Sequence, residues 1–335
     1  MFRIFSFVLF VVCGCASKTV TIKGSVEMPV VGLGVGSYGQ LTPPFFGEYW
    51  NDTVAAAAVA QFLRLGGRRI DTSLKWYHDL PGVKTGIEMS GVPREQVFIT
   101  SKVDDPFGYN ETIASIKQIL SVLNTSYVDL VLMHWPAPMA WDFTTTSLDT
   151  TMVYSQKCGT PAQCRVSTVS ALNDAVKMGL IRAAGVANFE LRHLQDLIDA
   201  NVDLPSVNQL EFHPYWHEDR MVQTMQAMGI SIQSYSPLGA PDYMAVVPNK
   251  WSVLPLQLPH VLDIAQEVNK SPAQVLIRWQ LQKNITVNPR TLNPQHMREN
   301  LDVFDFSLTQ QQMEEIDATI PPRRAKVCPD PFLLA

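Results

Sequence analysis

Short apolar runs alternate with helix-like stretches along most of this chain, and this alternation restricts its fold more than any other feature. There are eight such runs, most of them nearly continuous in apolar residues, as expected of parallel strands buried on both faces. They are Val30–Leu33, Arg69–Asp71, Val97–Lys102, Tyr127–His134, Ile181–Ala187, Val207–Phe212, Ile230–Tyr235 and Ile285–Val287. Eight strand–helix units predict an α/β fold, the (β/α)8 TIM barrel, in which the strands close into a cylinder.

Helix-like stretches lie between these runs, marked by apolar spacing and by cap residues. The predicted helices are Ala55–Leu65, Glu111–Leu123, Ser170–Met178, Leu191–Asp199, Asp219–Met228, Val261–Val268, Ser271–Leu281, Gln295–Asn300 and Leu308–Asp317. The last is one helix more than the barrel needs. At the other end, Val20–Glu27 predicts a β-hairpin. The full prediction is therefore a barrel with an N-terminal β-hairpin and a C-terminal extra helix.

The alternative architecture is an open, doubly wound sheet. Gly34, Gly36 and Gly39 match the spacing of a dinucleotide-binding fingerprint. That fingerprint works only where a helix begins at the glycines, and here Pro43 and Pro44 follow instead. The glycines therefore do not favour the open sheet.

The N-terminal segment differs from the rest of the chain. The apolar run Ile4–Val12 follows a short basic start and precedes small residues, which predicts a signal peptide over 1–16, cut near Ala16. Residues 17–335 would then form a single barrel domain. The run is shorter than the roughly 20 residues that span a bilayer, so we expect no stable membrane span. The open alternatives are a lipoprotein lipidated at Cys15, a signal-anchor, or a misassigned start that leaves the protein cytoplasmic.

Two further features agree with a secretory-pathway or extracellular protein. Cys158 and Cys164 lie six positions apart and could form a disulfide in an oxidising compartment, or remain two thiols. Cys328 would be left single. The acceptor pattern Asn-x-Ser/Thr predicts a secreted glycoprotein. It occurs at Asn51, Asn110, Asn124, Asn269 and Asn284.

Residues that can handle protons stand at the ends of consecutive runs. Asp71 ends the second, Lys102 the third and His134 the fourth, and Tyr77 follows Asp71. The ends of parallel barrel strands meet at one face, so Asp71 and Lys102 can form an ion pair. An ammonium nearby would lower the pKa of Tyr77 from its ordinary value of about 10. Tyr77 could then protonate a carbonyl oxygen that His134 orients.

Several segments resemble the aldo-keto reductase family, whose members are NAD(P)H-dependent (β/α)8 oxidoreductases. The resemblance runs from about Met28 to Ile316, in matching order and spacing. The segments that carry it are Met28–Gly34, Arg69–Thr72, Val97–Lys102, Tyr127–Pro136, Gly185–Phe189, Val207–Tyr215, Ser234–Gly239 and Arg298–Phe306.

The resemblance implies an enzyme that reduces aldehydes or ketones to alcohols, with hydride from a nicotinamide and a proton from Tyr77. Asp71, Lys102 and His134 would complete the catalytic tetrad, and no metal is expected. NADPH is the expected cofactor, with NADH as the alternative. The cofactor positions are Asn188 and Gln209 at the carboxamide, Tyr235 against the ring, Ser236 and Leu238 at the pyrophosphate, and Arg290, Thr291, His296, Glu299 and Asn300 around the adenosine and its 2′-phosphate. Trp135 and Asp104 would contact the substrate.

The chain also departs from the family pattern. Six positions separate Asp71 from Tyr77 where five are usual, so Trp76 stands at the usual place of the tyrosine. Gly36 replaces a common pocket tryptophan, and Asp104 replaces another aromatic residue; Ala187 stands where a serine is common. These changes predict a wider, less aromatic pocket whose negative charge disfavours anionic substrates.

The expected partner is a small-molecule carbonyl compound. A net charge of −5 provides no basic surface for nucleic acid, and we expect a monomer. The segments Trp141–Val166, Gly239–Pro259 and Lys326–Ala335 would shape the pocket. One alternative is a weak or inactive cofactor-binding barrel with a regulatory or scaffold role. Another is a barrel hydrolase or lyase that uses Asp71 and Lys102.

Overall fold

The computed structural model describes residues 18–23, 25–36, 51–75, 77, 79–104, 107–137, 140, 141, 148, 149, 158–241, 251–323 and 325–328. The predicted signal segment 1–16, with Cys15 and Ala16, lies outside these ranges, and so does Trp76. Much of the three segments predicted to shape the pocket lies outside them as well.

The N-terminal hairpin is present and closes one end of the barrel. Strands β1 (Thr19–Ile22) and β2 (Val26–Pro29) pair antiparallel, with Ile22 opposite Val26. The buried side chains of Ile22, Val26 and Met28 cluster with Phe98 and Val207, which begin two barrel strands. The hairpin therefore seals the end of the barrel where the strands start, and leaves the opposite end for the site.

The remaining strands include the eight predicted from the apolar runs, together with one short antiparallel ribbon after β6. They are β3 (Leu33–Gly34), β4 (Arg69–Asp71), β5 (Phe98–Val103), β6 (Val128–Met133), β7 (Ala140–Trp141), β8 (Leu148–Asp149), β9 (Ile181–Ala187), β10 (Val207–Glu211), β11 (Ser231–Tyr235) and β12 (Ile285–Val287). All pairings between neighbouring barrel strands are parallel, in the order β3-β4-β5-β6-β9-β10-β11-β12.

The sheet closes between its first and last strands. The backbone N–H of Gly32 donates to Val287 O at 2.9 Å, and Val287 N–H donates to Val30 O at 2.9 Å. The buried Arg69 guanidinium crosses the same seam and donates to the carbonyl oxygens of Val30 and Val287. Burial lowers the pKa of Arg69 to about 9, although the charge of Asp71 opposes this. Closure confirms the predicted barrel and excludes the open sheet.

The helices surround the barrel, and most match the predicted stretches within a few residues. They are α1 (Asp52–Arg64), α2 (Leu80–Ser90), α3 (Tyr109–Leu123), α4 (Pro161–Lys177), α5 (Leu191–Asp199), α6 (Asp219–Ala227), α7 (Pro259–Glu267), α8 (Pro272–Gln282), α9 (Pro294–Leu301) and α10 (Gln310–Asp317). The extra C-terminal helix is α10. Among the described residues, no helix combines the length and apolar character needed to cross a bilayer.

Two helices differ from the prediction. Helix α4 begins at Pro161 rather than Ser170, because Thr160 forms a capping box with Gln163. Helix α2 was not predicted at all, since it contains Gly82 and Gly86, which ordinarily weaken helices.

The two glycines of α2 lie where it packs tightly against α1. A Cβ on Gly82 would lie 2.3 Å from the backbone oxygen of Asp52 in α1. A Cβ on Gly86 would lie 2.7 Å from the backbone oxygen of Ala56, also in α1. The glycines therefore permit close approach of two helices rather than ending one.

Candidate active site

The predicted ion pair lies at the ends of two adjacent barrel strands. Asp71 is the last residue of β4, and Lys102 lies in β5. The Lys102 ammonium donates to Asp71 Oδ1 at 2.6 Å and to the carbonyl oxygen of Thr72 at 2.9 Å. Both side chains are almost completely buried. This geometry confirms the pairing that strand order predicted, and it leaves neither charge without a partner.

Tyr77 and His134 complete the cluster. The Lys102 ammonium lies 4.6 Å from the centre of the Tyr77 ring. The His134 ring meets the same ring edge-on, with centroids 5.7 Å apart and an interplanar angle of 86°. His134 directly follows β6, and Trp135 beside it is buried. The fold therefore brings together all four residues of the predicted tetrad.

The loop before Tyr77 is one residue longer than usual, and the Tyr77 ring that it carries lies against Gly36. A Cβ built on Gly36 would lie 2.7 Å from two carbon atoms of the Tyr77 ring. The ring thus occupies the space that a side chain at position 36 would need. The resemblance places a tryptophan there in many relatives, so the longer loop and Gly36 are complementary departures.

The expected shift of the Tyr77 pKa is wrong in direction. The pKa of Tyr77 is raised well above its ordinary value, first by desolvation and then by the charges of Asp71 and Asp104. Tyr77 retains some exposed surface, but the charges of both carboxylates act on its phenol. In this arrangement Tyr77 holds its proton firmly and is a weaker acid than expected.

Asp104 has protein partners on both carboxylate oxygens. Its Oδ1 lies 2.5 Å from His134 Nδ1, and its Oδ2 accepts from Ser73 Oγ at 2.8 Å and from the backbone N–H of Lys75 at 2.9 Å. It is 1% exposed. Asp104 therefore acts on His134 in this structure, whereas its predicted contact with substrate, like that of Trp135, stays a prediction.

The residues expected at the nicotinamide carboxamide form hydrogen-bonded links to the tetrad. Asn188 Nδ2 donates to the His134 carbonyl oxygen at 3.1 Å, and the Tyr235 hydroxyl donates to Asn188 Oδ1 at 2.8 Å. Gln209 Nε2 donates to Asp71 Oδ2 at 2.6 Å and also to Gln233 Oε1. Gln233 was not predicted; it faces inward from β11 beside Gln209.

Two of the predicted cofactor positions have left-handed backbone conformations. Asn188 has φ of 61° just after β9, and Ser236 has φ of 48° just after β11. Residues other than glycine adopt this conformation at a cost, and such strained residues cluster at functional sites. Leu238, two residues further on, is partly buried against the core.

The residues expected around the adenosine follow β12. Arg290 Nη1 donates to the Gly36 carbonyl oxygen at 2.8 Å, and Thr291 Oγ1 lies 3.4 Å from His296 Nδ1. In α9, Glu299 accepts from Gln295 at 3.0 Å. Asn300 Oδ1 is buried and has no hydrogen-bond partner within the described part of the chain. An unsatisfied buried acceptor fits a ligand donor such as the amino group of adenine.

A carboxylate that the sequence did not single out holds the C-terminal segment on the same face. Glu211 ends β10, and its buried oxygens accept from Val327 N–H at 2.6 Å and Cys328 N–H at 2.9 Å. It also accepts from His213 Nε2 at 2.9 Å. Sequence spacing could not reveal the contact with the C-terminal segment, because Glu211 is more than a hundred positions from Val327 and Cys328.

Comparison with known proteins agrees with this geometry. The sequence model of the group described as the Aldo/keto reductase family matches residues 30–321. A 9,11-endoperoxide prostaglandin H2 reductase of Trypanosoma cruzi is 33% identical, over 95% of this chain and 97% of its own. A glyoxal reductase of Bacillus subtilis is 34% identical, over 94% and 97%. The crystal structure of a Bombyx mori aldo-keto reductase in complex with NADP has a TM-score of 0.75 at 26% identity, covering 90% of this chain and 92% of its own.

Proposed function

Because this chain belongs to the aldo/keto reductase family and is an NAD(P)H-dependent oxidoreductase, we propose that it reduces aldehydes or ketones to alcohols with NADPH. The observation that carries this proposal is the buried Asp71–Lys102 pair beside Tyr77 and His134, at the barrel face where such enzymes keep their chemistry.

Each residue of the cluster has a distinct task in this scheme. When bound, the reduced nicotinamide supplies a hydride to the carbonyl carbon. Tyr77 provides the proton that the carbonyl oxygen takes up. Lys102, held by Asp71, places its positive charge 4.6 Å from the centre of the Tyr77 ring and offsets the negative charge that then develops there. Asn188 and Gln209 would hold the carboxamide, and Tyr235 would pack on the ring.

Arg290 supports NADPH over NADH. Its guanidinium can bind a phosphate with two parallel hydrogen bonds. It also stands shortly before α9, whose N-terminal backbone N–H groups favour an anion. His296 in the first turn of α9 is exposed and would add to the attraction when protonated. We therefore expect tighter binding of NADPH than of NADH, measured by quenching of protein fluorescence.

The decisive test compares Tyr77→Phe with the wild type on a panel of aldehydes and ketones. The panel includes glyoxal because one relative is a glyoxal reductase. We expect turnover to fall about 10²- to 10⁴-fold, since general acid help is lost, while NADPH still binds. Tyr109→Phe is the matched control, because Tyr109 is exposed and donates to Asp174 on the outside of the barrel. Unchanged turnover in Tyr77→Phe would contradict the role of Tyr77.

A second candidate function is a cofactor-binding barrel with weak or no catalysis. The longer loop before Tyr77 and its raised pKa favour this alternative. It predicts that the fluorescence of the wild-type protein is quenched when NADPH is added. It also predicts that no NADPH is oxidised with any compound in the panel.

We further propose that the protein is a secreted or secretory-pathway monomer whose leader is cut near Ala16. Cys158 and Cys164 form a disulfide with Cα atoms 4.9 Å apart, and this supports an oxidising compartment. The asparagines of all five acceptor patterns are exposed, as glycosylation requires: Asn51, Asn110, Asn124, Asn269 and Asn284.

Expression of the full chain in a eukaryotic secretory host tests this location. We expect an N-terminus near residue 17, a mass that falls on treatment with an N-glycosidase, and a monomer by light scattering. An uncleaved, unglycosylated chain retained in the cytosol would contradict the proposal.

A further inference from the structure

The contact between Asp104 and His134 determines which imidazole nitrogen carries a hydrogen. An ionised carboxylate can only accept hydrogen bonds, so His134 Nδ1 must be the donor across the 2.5 Å contact. The other carboxylate oxygen is already occupied by Ser73 and by the backbone N–H of Lys75, which fixes the orientation of Asp104. In a neutral imidazole with hydrogen on Nδ1, Nε2 carries a lone pair and cannot donate.

This tautomer conflicts with the role expected of a neutral His134. A donor to a carbonyl oxygen needs hydrogen on Nε2, and with Nδ1–H held by Asp104 only the imidazolium has both. The resemblance places an aromatic residue at position 104, which offers no such acceptor. The Asp104 carboxylate is therefore a feature of this chain that changes what His134 can do.

The charges around His134 oppose one another. Burial has the largest effect on His134 and lowers its pKa. The charge and hydrogen bond of Asp104 raise the same pKa, the charge of Lys102 lowers it, and the charge of Asp71 raises it. Burial also acts to raise the pKa of Asp104, but its contacts with His134, Lys75 and Ser73 hold it below its ordinary value. The ring of Tyr77 meets His134 edge-on. Cys328, in the C-terminal segment, acts to raise the pKa of Tyr77. Asp104 is thus the one carboxylate bonded to the imidazole among the described residues.

We propose that Asp104 is a positioning residue that holds His134 with hydrogen on Nδ1 and supplies the counter-charge with which His134 engages the carbonyl oxygen as an imidazolium. The inference deepens the proposed reductase function and rests on it. The imidazolium Nε2–H polarises the carbonyl group, and Tyr77 remains the proton donor. Because the imidazolium fraction grows as pH falls, kcat/KM for carbonyl reduction rises as the pH is lowered through the pKa of His134, and then levels off.

The test combines a pH profile with nuclear magnetic resonance of the imidazole nitrogens in cofactor-free protein. The His134 signals are identified by their absence from His134→Gln, which distinguishes them from those of the other histidines. In the wild type we expect hydrogen on Nδ1 in the neutral form. In Asp104→Asn we expect protonation of His134 at a pH lower by about one unit or more, because a charged partner is lost. The kcat/KM profile should move by the same amount, so that activity at pH 7 falls about 10-fold.

Asp174→Asn is the matched control, since Asp174 is a surface carboxylate that pairs with Lys177 and accepts from Tyr109. It should leave both the His134 titration and the pH profile unchanged. A wild-type neutral imidazole with hydrogen on Nε2 overturns the proposal without any variant. Carbonyl turnover whose pH profile is the same in Asp104→Asn also overturns it. Absence of turnover at every pH would count against the reductase function alone, because the tautomer and the titration are measured without substrate or cofactor.

Discussion

At the scale of single residues, burial and nearby carboxylates decide how the site residues behave. Strand order was sufficient to predict that Asp71 and Lys102 pair, because adjacent parallel strands place their ends side by side. It was not sufficient to predict the acidity of Tyr77. Asp104 approaches Tyr77 from a different loop, and together with desolvation and Asp71 it raises the Tyr77 pKa instead of lowering it.

Gly36→Ala should act through Tyr77. The added Cβ would lie 2.7 Å from the ring, so the ring must move. We expect kcat to fall about 10²-fold or more, approaching the loss in Tyr77→Phe, with NADPH binding retained. Adding Gly36→Ala to Tyr77→Phe should cost little further activity, because both changes remove the same proton donor. Fully additive losses would show that Gly36 acts elsewhere.

Asp79 is a buried carboxyl that favours its protonated form. Burial raises its pKa well above the ordinary value, against the hydrogen bond from Thr72 and the charge of Lys102. Its Oδ2 has no partner in the described part of the chain. Stability from this group is full below the unfolded pKa of about 3.9 and is lost as pH rises through the folded pKa.

Asp79→Asn should therefore increase the free energy of unfolding at pH 7 by at least about 1 kcal/mol, because a neutral amide does not have to take up a proton on folding, as the carboxylate of the unfolded wild type does. The advantage over the wild type should shrink towards zero near pH 4. Urea unfolding of both proteins at several pH values measures this difference. A variant that is less stable than the wild type at pH 7 would contradict this account of Asp79.

At the scale of elements, contacts distant in sequence place the segments around the site. Helix α2 escaped prediction because its glycines are explained only by the close packing of α1 against it. The C-terminal segment around Val327 and Cys328 is held by Glu211 at the end of β10. Neither relation appears in a local pattern of residues, since each depends on which elements are neighbours in space.

Glu211→Gln should loosen the C-terminal segment. The variant replaces a charged carboxylate, which accepts hydrogen bonds from two backbone N–H groups, with a neutral amide. Hydrogen bonds to charged groups contribute roughly 1.5–3 kcal/mol each to stability. We expect the buried thiol of Cys328 to react with a thiol reagent about 10- to 100-fold faster. Glu314→Gln on the exposed face of α10 is the control. An unchanged rate would show that other contacts hold the segment.

At the scale of the whole molecule, hydrogen bonds between the first and last strands close the barrel. A disulfide outside the barrel adds a covalent link. The Cys158–Cys164 bond closes a short loop at the start of α4. A loop of this length is expected to contribute roughly 2 kcal/mol by restricting the unfolded chain. The sequence left open whether these cysteines form a disulfide or remain two thiols, and the structure contains the disulfide.

Replacing both cysteines, as Cys158→Ala with Cys164→Ala, should lower the free energy of unfolding by about 2 kcal/mol. Reductant should destabilise the wild type to a similar extent and leave the double variant unaffected. Cys328→Ser, which removes the buried thiol outside this bond, should keep the response to reductant. Equal stability of wild type and double variant under oxidising conditions would contradict the prediction.

The sequence by itself determined the barrel, its hairpin and extra helix, and the four residues that meet at the strand ends, because period and order of apolar runs specify which strands are neighbours. Only the tertiary structure decided that Gly36 makes room for Tyr77, that Asp104 holds His134, and that Glu211 anchors the C-terminal segment. These depend on distances between side chains from separate loops, and pKa values depend on the burial that those distances create. Local residue patterns encode neither quantity.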